Sequence, residues 1–240
     1  MTANKCPFSP CRGYATLDSR SEYLLHKGID DSDAAGDISQ SLTADTDVTK
    51  ALYFWQLYSL IGDKPIIAIV EKFYERVYAD TEDTKFRHAF TRLASMDHHI
   101  ATQAAFWIDA MGGGRVYHGG RYRLEFHHRH NAREVMNAAG AKRWMYHMRK
   151  ALDDYDFTQL NDPRIKTCIL EFLKSKMMTY AYEFGWNFDE SDFVDSEAEI
   201  FMSQHQNDKS FHNNPLSQTE DVMEVVRVVK DEDNSDIVNR

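Results

Sequence analysis

Apolar side chains recur every three to four residues through the middle of the chain, the period of a helix buried on one face. The clearest stripe is Ile66, Ile67, Val70, Phe73, Tyr74, Val77 and Tyr78. It follows Asp63-Lys64-Pro65, where Asp is the expected cap and proline sits in the first turn. A second helix is predicted from about Ser95 to Met111. Ile100, Gln103, Ala104, Trp107, Ile108 and Met111 share one face, and Gly112-Gly113-Gly114 ends it. A third, from about Asn137 to Asp154, turns Trp144, Met148, Ala151, Leu152 and Tyr155 inward. The fourth starts at Asp162-Pro163, carries Ile165, Cys168, Ile169, Phe172, Leu173 and Met177, and stops near Gly185. Shorter helices are expected at 51–60 and 83–93. No hairpin signal competes with these and no internal repeat is visible, so the expected fold class is all-α.

Outside 51–188 the pattern fades. Residues 1–50 offer little core, and 28–50, rich in Asp, Ser, Thr and Gly, reads as a flexible arm. Residues 189–240 read as a polar, acidic tail with room for a short helix at 219–230, where Val222, Val225, Val226 and Val229 fall at helical spacing. The expected organisation is therefore an N-terminal extension (1–50), one helical domain (51–188) and a C-terminal tail (189–240). A chain of 240 residues with 42% hydrophobic and 28% charged residues supports such a core. The net charge of −10 opposes binding to phosphate backbones and anionic bilayers. No apolar run approaches the ~20 residues that span a membrane. Neither nucleic acid nor membrane is an expected partner. Cys6, Cys11 and Cys168 do not form a disulfide framework, and the first 30 residues lack a secretory leader's basic-then-apolar order. The expected location is cytoplasmic.

The stretch 112–131 departs from the helical rhythm, with five glycines and four histidines. Long glycine-rich connections inside a helical domain are often functional. A neutral imidazole binds zinc, copper or haem iron, so His127, His128 and His130 are candidate ligands. A surface position is the commoner outcome for any one of them, and no zinc-ligand spacing surrounds them. Gln103 interrupts an otherwise apolar face. A buried amide without a partner costs roughly 1–3 kcal/mol, so Gln103 either bonds a neighbour or faces a ligand cavity. Tyr74 and Trp144, inward on two other helices, each carry a polar handle that wants a partner. Three polar groups from three helices fit a pocket with one polar spot.

The order of these features resembles a truncated haemoglobin of the group II type found in plants and bacteria. The similarity covers about 52–185 and is clearest in FYERVY (Phe73 to Tyr78), FWIDAMGG (Phe106 to Gly113), the glycine-led segment ending at His128, and RWMYHMRKALDD (Arg143 to Asp154). The resemblance implies a two-over-two helical sandwich around haem b, iron protoporphyrin IX, held by one histidine. The family spaces a glycine, an apolar residue and the iron ligand four places apart. Gly120, Leu124 and His128 keep that spacing, which makes His128 the implied metal ligand. Tyr74 matches the family's hydrogen-bond donor to bound gas, Gln103 its polar distal position, Trp144 its distal tryptophan, and Phe90 the aromatic residue packed on the porphyrin. His99 falls one turn before Gln103, with His98 as the alternative, and Trp107 shares the face. Arg129 is assigned to the cofactor on charge alone, with Arg121 and Arg123 as alternatives. The sequence departs from the family where Gly-Gly-Pro-Pro is Gly112-Gly113-Gly114-Arg115, and where the arginine before the iron ligand is His127.

The implied function is reversible binding of dioxygen, nitric oxide or carbon monoxide. Several hydrogen bonds to the gas imply slow release, which suits sensing, scavenging or redox chemistry better than bulk oxygen transport. Nitric oxide dioxygenase or peroxidase-like turnover would add a reductase, of unknown identity, as partner. Two rival readings stay open at this stage. One is a non-haem metal protein using His127, His128 and His130. The other is a globin-like interaction module without haem.

Overall fold

The computed structural model describes residues 13–27 and 42–189. All belong to the first of two units, Met1–Val194. The helix expected at 219–230 and the thiols of Cys6 and Cys11 lie outside the described residues. Eight α-helices follow in order: α1 (Tyr14–Lys27), α2 (Leu57–Ile61), α3 (Asp63–Tyr78), α4 (Thr84–Thr91), α5 (Met96–Ala110), α6 (Gly120–Phe126), α7 (Ala138–Asp153) and α8 (Arg164–Phe184). No strand occurs among the described residues. The four long predicted helices are α3, α5, α7 and α8. The two shorter ones are α2, with a 3-10 turn at Phe54–Gln56 before it, and α4.

Side-chain caps set most of the boundaries. Asp83 accepts from the Phe86 N–H, Ser95 from the His98 N–H and Asn137 from the Gly140 N–H, at the starts of α4, α5 and α7. The start of α3 differs from expectation. Gly62, at φ 65°, takes the cap position, and Asp63 falls in the first turn. Its carboxylate still complements the helix dipole there.

Helix α3 is the axle of the domain, packed against both α5 and α7, while α7 also meets α8. Its buried positions are Ile66, Ile69, Val70, Phe73, Tyr74 and Val77. Met145, Met148 and Leu152 of α7 and Ile165 and Ile169 of α8 complete the core. Each such side chain contributes about 1.5–3 kcal/mol on burial.

No apolar stripe predicts α1, for a physical reason. Its buried face is Ala15, Thr16, Ser19, Arg20 and Leu24, small and polar for the most part. Polar contacts seat it. The Thr16 hydroxyl donates to the Asp109 carbonyl of α5, while Ser19 Oγ is satisfied within α1 by the Ala15 carbonyl at 2.7 Å. The Asp109 carboxylate is buried beside the first turn of α1, where helical N–H groups lack intrahelical partners. Gly13 permits the approach, because a Cβ there would lie 1.3 Å from Asp109 Oδ1. Burial raises the Asp109 carboxyl above its ordinary value, against the pull of the neighbouring N–H groups. The polar stretch before α2 is likewise pinned. Arg164 donates to the carbonyls of Asp45, Asp47 and Lys50, its guanidinium oriented by Asp162.

One buried carboxylate joins α3 to α7. Asp80, just past the end of α3, accepts from Arg143 Nε at 2.7 Å and Nη2 at 2.6 Å, and pairs with His147 Nε2 at 2.7 Å. The backbone N–H groups of Glu82 and Asp83 add two bonds of 3.0 Å. These donors, Arg143 above all, hold the carboxyl well below its ordinary 3.8. Its stabilisation is therefore complete above the ordinary value and is lost as the pH falls through the lower folded one. Removing one partner of a buried pair strands the other, at a cost of about 3–5 kcal/mol. Asp80→Ala should lose that much in urea denaturation at neutral pH. A loss under about 1 kcal/mol would show that the pair behaves as a surface ion pair.

Candidate functional site

The helices line a partly open cavity of about 570 Å³. This lies within the range of roughly 300–1,000 Å³ typical of small-molecule and cofactor sites. The lining is aromatic and aliphatic with few polar groups. Of the residues singled out in the sequence, Tyr74, Phe90, His99, Gln103, Trp107, His128 and Trp144 all line it. Arg129 does not; it turns outward and pairs with Glu183 at 2.8 Å.

On one wall, α3 and α5 bring two polar side chains together. The Tyr74 hydroxyl donates to Gln103 Oε1 at 2.7 Å. Burial pushes the Tyr74 phenol well above its ordinary 10, so the proton stays in place. The bond fixes the Gln103 amide and leaves its Nε2, buried, with no partner. That orphan donor is what the interruption of the apolar face anticipated. Of the two neighbouring histidines, His99 is buried and His98 is exposed. His99 is tied back by Nε2 to the Phe90 carbonyl at 3.0 Å and lies nearly parallel to the Tyr74 ring at 5.3 Å. Burial, chiefly, lowers its pKa, and a neutral ring donating through Nε2 satisfies the Phe90 carbonyl. Trp144 sits against Phe73 at 4.8 Å, and Trp107 is fully buried at the base of α5.

The opposite wall is built by the glycine-rich stretch. Gly119 and Gly120, both at positive φ, open α6. The helix then widens into a π-turn at His127–Asn131. Such wide turns are rare and frequent at functional sites. His128 sits in this turn, edge-on to the Tyr180 ring of α8 at 4.6 Å. Burial, then His127 and Lys176, lower the His128 pKa to about 3. The ring is thus a neutral imidazole at physiological pH, the form that ligates a metal. The three histidines do not converge. His130 is exposed and stacked on Phe126 at 4.5 Å, and no cluster of three metal-ligating side chains exists among the described residues. A non-haem site built on all three has no geometric support.

Other lining residues escaped the sequence reading. Lys176, Tyr180 and Trp186 face the cavity from α8 and the segment after it. Lys176 falls between Leu173 and Met177 on the inward stripe of α8, so a charge on an apolar face was a visible signal. Trp186 follows Gly185, whose left-handed φ of 73° ends α8. Its indole Nε1 is buried without a partner. Of the three arginines weighed earlier, Arg123 lines the cavity, whereas Arg121 pairs with Glu125 at 2.6 Å.

A wall of aromatic rings, the neutral His128 imidazole on its lining and orphaned donors at Gln103 and Trp186 fit a large flat apolar cofactor with a small polar ligand. The family model for bacterial-like globins matches residues 56–179, and the chain belongs to that family. Globins bind haem and, through it, small gases such as oxygen. Group 2 truncated hemoglobin 3-1 of Lotus japonicus is 35% identical over 99 residues, covering 40% of this chain and 56% of that protein. Two-on-two hemoglobin-3 of Arabidopsis thaliana is 33% identical over 98 residues, covering 41% and 54%. The chain therefore matches little more than half the length of these curated relatives. The all-α truncated-globin fold expected from the sequence is the fold observed.

The far wall depends on Gly140 of α7. A Cβ at this position would lie 2.0 Å from the Val135 carbonyl oxygen, a backbone atom with little freedom to move. Gly140→Ala should cost about 1–3 kcal/mol by displacing the 3-10 turn before α7. Thermal denaturation measures it, and an unchanged midpoint would show that this wall is plastic.

Proposed function

We propose that the chain holds haem b with His128 as the iron ligand and binds a small diatomic gas, namely dioxygen, nitric oxide or carbon monoxide, beneath Tyr74, Gln103 and Trp144. One observation carries the reading: a neutral imidazole and an orphaned amide donor line the same largely apolar cavity. When bound, the cofactor supplies an iron centre that takes up the gas and polarises it.

The chain's own residues do the rest. His128 offers a lone pair that burial keeps free of a proton. Phe90 and the other aromatic rings exclude water and provide the flat apolar contact. Tyr74 acts through Gln103: by donating to Oε1 it turns Nε2 toward the gas, so the amide is the donor and the phenol its anchor. His99, committed to the Phe90 carbonyl, serves as wall. Arg123 and the Trp186 indole N–H are the groups suited to the cofactor's carboxylates, in place of Arg129 and Arg121, which are engaged with glutamates. A donor held this way favours retention of the gas, which suits sensing, scavenging or redox chemistry. Nitric oxide dioxygenase or peroxidase-like turnover would require a reductase as partner. The buried, free Cys168 thiol is compatible with a reducing, cytoplasmic setting.

Titration with haem should give a strong Soret band. His128→Ala should weaken and shift it while far-UV circular dichroism stays helical, and an unaltered spectrum in that variant removes the assignment. Gln103→Leu deletes one hydrogen bond of about 0.5–1.5 kcal/mol and should speed oxygen dissociation about two- to twelve-fold. Tyr74→Phe should also speed it, by less, because the amide survives but loses its anchor. If Tyr74→Phe has the larger effect in stopped-flow measurements, the phenol itself is the donor.

A further inference from the structure

Lys176 is the charged side chain that the proposed gas chemistry leaves unexplained. Its side chain is 8% exposed, yet it lines the cavity whose opposite face carries Gln103. The ammonium lies over the Phe172 ring, 5.5 Å from its centroid. Its counter-charge comes from the N-terminal helix. Nζ sits 2.7 Å from Oε1 and 2.5 Å from Oε2 of Glu22 in α1. Glu22 is 35% exposed on its side chain, so the pair has a dry end facing the cavity and a wet end facing solvent. A second α1 carboxylate, Asp18, is within electrostatic reach of Lys176 and Arg121.

We propose that the Glu22–Lys176 pair across α1 and α8 sets the charge on the His128 side of the cavity, and that docking of α1 thereby lowers the reduction potential of a bound iron. The inference rests on the haem reading above. A fixed ammonium in an apolar wall opposes additional positive charge nearby. It therefore favours the ferrous over the ferric state, and solvent screens it little. The Glu22 carboxylate cancels most of that field, but only while α1 is seated. The seat is built on Gly13, Thr16 and the buried Asp109 at one end of α1, with Ala15, Leu24 and the edge-on contacts of Tyr23 with Tyr53 and Trp55 as its apolar part. Lys176 and Glu22 are positioning residues in this scheme. They touch neither gas nor iron, and act through the field they impose.

The test is spectroelectrochemical titration of the full-length, haem-loaded chain. Glu22→Gln keeps the shape and removes the counter-charge, so the midpoint potential should rise and the ferrous fraction at fixed potential should grow several-fold. Lys176→Met should move it the opposite way. The charge-swapped double variant Glu22→Lys with Lys176→Glu retains an ion pair and so retains docking. It reverses the sign that faces the cavity, and its potential should fall below wild type. A purely structural pair would return to the wild-type value in the swap. Potentials unchanged in Glu22→Gln and in the swap overturn the inference, while normal Soret spectra in the same samples leave the haem reading standing. Wild-type protein that takes up no haem defeats the haem reading instead. Limited proteolysis between α1 and α2 reports docking without the cofactor. Cleavage should quicken in Glu22→Gln and not in the swap.

Discussion

The way α3 packs on α7, and with it the placing of Tyr74 and Trp144 on the cavity wall, depends on the buried Asp80 carboxylate that joins the two helices. Burial alone is non-directional and does not fix how the two helices are oriented on contact. Asp80 instead gathers Arg143, His147 and two backbone N–H groups at one end of α3. Arg143 immediately precedes Trp144, and Tyr74 lies on α3 between the core and the cavity. The directional bonds at one end thus set where both side chains stand. A carboxylate with every lone pair engaged serves this purpose better than an apolar contact, because it specifies an orientation as well as a separation.

The polar pair within the cavity has the opposite character. Asp80 is saturated, whereas Gln103 is left half-satisfied on purpose-built geometry: Tyr74 takes the carbonyl oxygen and nothing takes the amide nitrogen. An unmet donor in an apolar wall is unfavourable by roughly 1–3 kcal/mol unless a ligand meets it. That cost is the physical basis of the role proposed for Gln103. The same reasoning separates His99 from His128. Both rings are neutral through burial, but His99 has already committed Nε2 to the Phe90 carbonyl, while His128 sits in a π-turn with its ring against Tyr180.

Much of this was legible in the sequence wherever burial follows a helical period. The stripes of α3, α5, α7 and α8 read correctly, as did Gln103 as a break in one of them. The resemblance singled out His128 from its neighbours, and the structure puts both His127 and His128 on the cavity lining. What could not be read has physical causes. Helix α1 docks in part through Thr16 and a glycine over a carboxylate, and the face it buries is mostly small or polar, so it carries no apolar stripe. The side-chain roles of Arg121 and Arg129 depend on glutamates at 125 and 183, one of them in another helix, and that of Arg123 on the His118 carbonyl and the Tyr117 ring. The cap of α3 moved to Gly62 because a glycine accepts a left-handed backbone that Asp63 would resist.

Placement of the charges explains how the site remains workable across physiological pH. Burial keeps His99, His127 and His128 uncharged, each with its pKa lowered chiefly by desolvation. Protons therefore do not enter the electrostatics of the cavity near neutrality. The fixed charge that does enter is the Lys176 ammonium, held in an ion pair between α8 and α1. Its partner Glu22 comes from a helix outside the matched globin segment of residues 56–179. The globin helices supply the ligand-holding geometry, and the N-terminal extension supplies the balancing charge. Under the proposed charge balance, a field that depends on a docked extension changes with the docking of that extension, without any displacement of the residues that line the cavity.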